Sequence, residues 1–111
     1  MTDFNSEHLL ETLERRIDEL ESRNAIEAMH ADFVRSVADR RFDRLADYFA
    51  DDATIDMRAH GPRSGRVAIA EHFSGMAAVP LDGASYLLSS PVVEVDGDRA
   101  TGVWTWHRFY S

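Results

Sequence analysis

The chain has 111 residues, a formal net charge of −8 and no cysteine. That length fits one domain with one modest core, here the whole of residues 1–111, and so acidic a surface repels phosphate backbones, which excludes nucleic acid as an expected partner. No apolar run approaches the roughly 20 residues that span a bilayer, the polar N-terminus lacks the pattern of a secretory signal, and disulfide and thiolate chemistry are excluded, so the expected setting is cytoplasmic and away from membranes. All twelve basic residues are Arg, which rules out a Schiff-base lysine.

Residues 6–38 read as one long helix. Leu10, Leu13, Ile17 and Leu20 recur at three- and four-residue spacing, and Ile26, Met29, Phe33 and Val37 repeat the pattern. Ser6 can cap the start, and the pairs Glu11–Arg15 and Glu19–Arg23 sit four residues apart on a wet face. The apolar phase shifts between Leu20 and Ile26, which predicts a kink or break near residues 22–24. A second, short helix is expected over 40–50 with Phe42, Leu45, Tyr48 and Phe49, then a strand over 53–57. The Gly/Pro-rich segment 60–65 has the composition of a turn or loop. A third helix is expected over 67–73, a loop over 77–83, and a strand over 85–95 notched at Pro91, where a bulge or edge position would suit. Asp96, Gly97 and Asp98 form a hairpin turn into a return strand over 99–110. Helices first and strands after imply an α+β fold with helices packed on one face of a curved, mainly antiparallel sheet, and a ligand space between the layers.

Within that frame the return strand places His107 with Thr105 and Phe109 on one face and Trp104, Trp106 and Tyr110 on the other. His107 is a candidate general base if its face lines the pocket; the plainer reading is a partly exposed strand histidine. Trp104 and Trp106 are candidates to stack on a flat ligand, or simply to fill core. Phe33, Met57 and Phe73 are the other expected ligand contacts. His30 reads as a border histidine of the first helix, His60 as a solvated loop residue, and Glu71 with His72 as the wet face of the third helix. No metal site is expected, because no two histidines stand at metal-ligand spacing and no thiol exists.

Four segments carry a resemblance to a known family: LESRNAI at 20–26, LADYFADDA at 45–53, GRVAI at 65–69 and SPVVEVDGDRATG at 90–102. In this order they resemble the SnoaL-like proteins of the nuclear-transport-factor-2-like (cone) superfamily, from about Leu10 to the C-terminus. The resemblance implies a cone: a long N-terminal helix and two short helices on a curved sheet, here lacking the family's last two strands. It also implies either chemistry on a hydrophobic ring compound or a binding or dimerisation module without catalysis. Dehydratase-type members are similar to one another in an Asp–His pair, a carboxylate-held general base. The matching positions here are Ala38 and Tyr86, so the pair is absent; Asp39 sits one residue late. The implied catalytic groups are therefore Asp39, Tyr86 and His107, acting by proton abstraction in a cofactor-independent lyase, isomerase or cyclase. Against this, Asp39 suits a helix-end or capping role. The short sheet leaves a strand edge, and unpaired edges invite pairing, so a homodimer is expected.

Overall fold

The computed structural model of the protein describes residues 4–57, 60–77 and 84–110, with side chains described outside 84–88 and 108–110. Helix α1 runs Phe4–Ala38 without interruption, 35 residues or about 52 Å. The helix is not broken where the apolar phase shifts. The phase shift instead marks a change of duty along a continuous helix: Leu10, Leu13, Ile17 and Leu20 are exposed, whereas Val34 and Val37 are buried. Six residues of α-helix turn the apolar stripe by about 120° between Leu20 and Ile26, so its two halves address different surfaces.

α1 ends in a Schellman arrangement. Arg40 adopts a left-handed backbone with φ 57, its N–H donates to the Val37 carbonyl at 3.1 Å, and the Arg41 N–H donates to the Ser36 carbonyl at 2.9 Å. Asp39 is thus the C-cap of α1 rather than an N-cap. The expected second helix is a 3₁₀ segment, Phe42–Tyr48, with no side-chain cap. Its buried Phe42, Leu45 and Ala46 turn the chain back onto α1.

Strand β1 (Thr54–Met57) pairs antiparallel with β2 (Gly61–Ser64), Ile55 opposite Arg63 and Asp56 opposite Pro62. β2 falls where a loop was expected. Gly61 takes φ +75 to enter it, and Pro62 is tolerated because β2 is an edge among the described residues, where a missing N–H breaks no ladder. Helix α2 (Arg66–Ala77) starts from a fixed corner. Gly65, at φ +86, donates its N–H to the Ala53 carbonyl at 2.8 Å, while the Arg66 guanidinium donates to the Phe49 carbonyl from Nε at 3.0 Å and Nη2 at 2.7 Å and pairs with Asp51 at 2.8 Å. The expected loop over 77–83 falls, from residue 78 on, outside the described residues.

Strands β3 (Ala84–Asp96) and β4 (Arg99–Tyr110) form a long hairpin around Gly97 and Asp98. Gly97 has φ +60 and Asp98 does not share its sign, the pattern of a type II′ turn. The register slips between Ser89 and Val92, so Ser90 and Pro91 oppose Trp104 alone. This is the bulge anticipated at Pro91, with Ser90 at φ 53. Helices lie against antiparallel strands as expected, but among the described residues the strands form two separate pairs rather than one ladder.

The core gathers Val37, Phe42, Leu45, Ile69 and Phe73 where the end of α1, the 3₁₀ segment and α2 meet. Leu45 and Ile69 are fully buried. The N-terminal half of α1 projects from this body, and the radius of gyration is 18.7 Å, against about 13 Å for a compact chain of this length. Among the described residues no helix is long and apolar enough to cross a membrane.

Candidate ligand site

A cavity of about 490 Å³ opens between α1, β1, α2 and β4. Phe33 and Val37 line it from α1, Phe49 from the end of the 3₁₀ segment, Ile55 and Met57 from β1, Phe73 and Met76 from α2, and Trp106 from β4. Each position follows from local periodicity. Phe33 and Val37 are one turn apart on α1, Ile55 and Met57 share one face of β1, and Phe73 and Met76 share one face of α2. Other hollows, of about 350 to 720 Å³, ring the hairpin tip around Val95–Arg99 and lie outside the core.

Phe33 is the hub of the lining. Its ring meets Phe49 at 5.8 Å, Phe73 at 6.2 Å and Trp106 at 6.3 Å, all edge-on, and the adjacent Tyr48 at 5.4 Å. No titratable side chain lines the cavity among the described residues. The described lining itself offers shape and apolar contact.

Two polar groups border the hub. His30, one turn before Phe33, stacks on Trp104 with centroids 3.9 Å apart and planes at 12°, and meets Trp106 edge-on at 5.6 Å. Its Nδ1 is buried without a partner, and burial lowers its pKa from the ordinary value, favouring the neutral ring. Gly102 makes the stack possible, because a Cβ there would overlap the Trp104 indole. On the other side the Tyr48 hydroxyl donates to the Asp32 carboxylate and lies 3.2 Å from Ser36 Oγ.

Of the expected contacts, Phe33, Met57, Phe73 and Trp106 meet at the cavity, while Trp104 stands one strand repeat away beneath His30. His107 alternates with Trp106 and so points to the opposite face of the hairpin, where its Nε2 is 3.2 Å from Ser89 Oγ. Asp39 is exposed at the end of α1, its N–H donating to the Arg35 carbonyl at 2.9 Å. Tyr86 pairs with Arg108 in the β3–β4 ladder, and its side chain lies outside the described residues. The contact of Tyr48 with Asp32 went unnoticed in the sequence, where Tyr48 reads only as a residue of the second helix. The only signal was the four-residue spacing of Asp32 and Ser36, which puts both on one helical face.

The family model of the SnoaL-like domain matches residues 18–109. Comparison with curated proteins and with solved structures gives no match.

Proposed function

The chain belongs to the SnoaL-like family, within the nuclear-transport-factor-2-like superfamily, and from that premise we propose that it holds a small, largely apolar molecule in the cavity around Phe33 and Trp106 without transforming it. The observation that carries this reading is the lining itself, among the described residues eight apolar side chains with no acid or base. Proton abstraction from carbon needs a titratable group within hydrogen-bond reach of the substrate. The exposed Asp39 and the outward-turned His107 weigh against the lyase, isomerase or cyclase alternative.

Titration of the purified protein with small aromatic and alicyclic ketones, read by tryptophan emission and by deuterium exchange at carbon in the same samples, tests the proposal. The expected result is saturable quenching with exchange no faster than in buffer. Protein-dependent exchange that disappears in Asp39→Ala or His107→Ala would overturn it in favour of the enzyme reading.

We also propose a homodimer, with the second copy on the N-terminal half of α1. Leu10, Leu13, Ile17 and Leu20 follow the three-four-three spacing of a coiled-coil seam, and all four are exposed. The seam is flanked by Arg16 on one side and Glu21 on the other, residues that oppose each other across a parallel pair.

A further inference from the structure

We infer that the ligand of this cavity carries an anionic head, a carboxylate or sulfonate, received by Arg63, His72 and His60 beside the β1 wall. The inference rests on the cavity reading above and adds the polar end of the molecule.

The three basic side chains come together through β2. Arg63 stands directly opposite Ile55 in the β1–β2 ladder, and residues directly opposite project to the same face of a strand pair. Ile55 lines the cavity, so Arg63 rises from the same face at its border and is half-buried. His72 is the residue before Phe73 on α2, and the two rings lie 5.3 Å apart. Phe73 also lines the cavity, which puts the imidazole next to the apolar wall. His60, in the turn between the strands, brings its ring to 5.4 Å from that of His72.

Among the described residues this cluster has no carboxylate within ion-pair distance, in a chain of net charge −8. Arg66, by contrast, has Asp51 at 2.8 Å. His72 is only 9% exposed, and its Nε2 is buried with no hydrogen-bond partner. A buried polar nitrogen left unpaired is unfavourable, and an anionic oxygen beside the guanidinium, which the imidazole would turn outward to meet, would satisfy it. Burial first, then the neighbouring His60 and Arg63, hold the His72 pKa below its ordinary value. An anion reverses the second of these effects. A metal cation is the wrong occupant, since a permanent guanidinium charge would repel it.

Two fluorescent probes that differ by one sulfonate test the inference: 1-anilinonaphthalene-8-sulfonate and its neutral analogue N-phenyl-1-naphthylamine. Binding is read by quenching of the β4 tryptophans, one of which lines the cavity. Arg63→Gln is expected to weaken the sulfonate probe about tenfold and the neutral probe less than twofold, with Arg63→Lys keeping most of the sulfonate affinity. Equal weakening of both probes, or none, would overturn the anionic head. Neutral-probe binding to the unsubstituted protein separates the two proposals. If it binds and the ratio of affinities ignores Arg63→Gln, the cavity stands and the head does not; if neither probe binds, both fall.

Discussion

His30 and His72 are each held in a surrounding that disfavours the imidazolium form, chiefly by burial. In the unfolded chain both titrate near the ordinary value of 6.5. As pH falls below that value the unfolded state takes up protons that the folded state refuses, so stability rises with pH across this window and is lost on acidification. The urea midpoint should therefore drop between pH 7.5 and pH 5.5, and the drop should shrink in His30→Gln. An unchanged pH slope in that variant would mean that His30 is solvated. Only part of this was legible in the sequence. His30 lies one residue off an apolar stripe, which marks a border position, but the flat stack on Trp104 depends on Gly102 across the hairpin. His72 reads as a wet-face residue because its cover comes from β2, and β2 carries the composition of a loop. One misjudged strand thus hid both the burial of His72 and its meeting with His60 and Arg63.

Among the elements, those with strong local signals were readable and those made by tertiary pairing were not. Long apolar periodicity identified α1 and α2, and the Asp-Gly-Asp turn between β-branched runs identified the β3–β4 hairpin to within a residue or two. Phe33, Met57, Phe73 and Trp106, named from the sequence as ligand contacts, sit on periodic stripes and line the cavity. The Asp32–Tyr48 contact joins residues 16 apart across a 3₁₀ turn, and no local pattern encodes it. The hairpin invites a test at Gly102, where a methyl group would overlap the Trp104 indole. Gly102→Ala should push the indole off His30 and destabilise the protein by about 1–3 kcal/mol, the usual range for overpacking. Thermal unfolding, together with a shift in tryptophan emission, checks this; lost stability without a change in emission would place the strain elsewhere. At the opposite end of the core, Leu45 is fully buried, and Leu45→Ala should cost about 2–5 kcal/mol in a denaturant titration.

For the whole molecule the open question is why α1 extends so far beyond its core. An exposed apolar stripe on a helix is a usual mark of an interaction surface, and Leu13 and Ile17 are 45% and 53% exposed. In the proposed dimer the charges beside the stripe would fix the arrangement more than they drive it. An exposed pair such as Arg16 with the partner's Glu21 contributes little energy, about 0–1 kcal/mol, but it favours the parallel register over slipped ones. The apolar seam would therefore supply the affinity of the proposed dimer, and two heptads supply only a modest one. Self-association should be reversible, weakened strongly by a charge in the seam and only slightly by salt. Sedimentation velocity over a concentration series should show a dimer that the double substitution Leu13→Glu and Ile17→Glu converts to monomer. Because those residues lie more than two helical turns before His30 and Phe33, binding of N-phenyl-1-naphthylamine should survive in the monomer. If the double variant remains a dimer, the second copy sits elsewhere, with the edge of the β3–β4 hairpin next to be tested. If it becomes monomeric and also loses the probe, the two halves of α1 are coupled, and the partner helps to form the cavity.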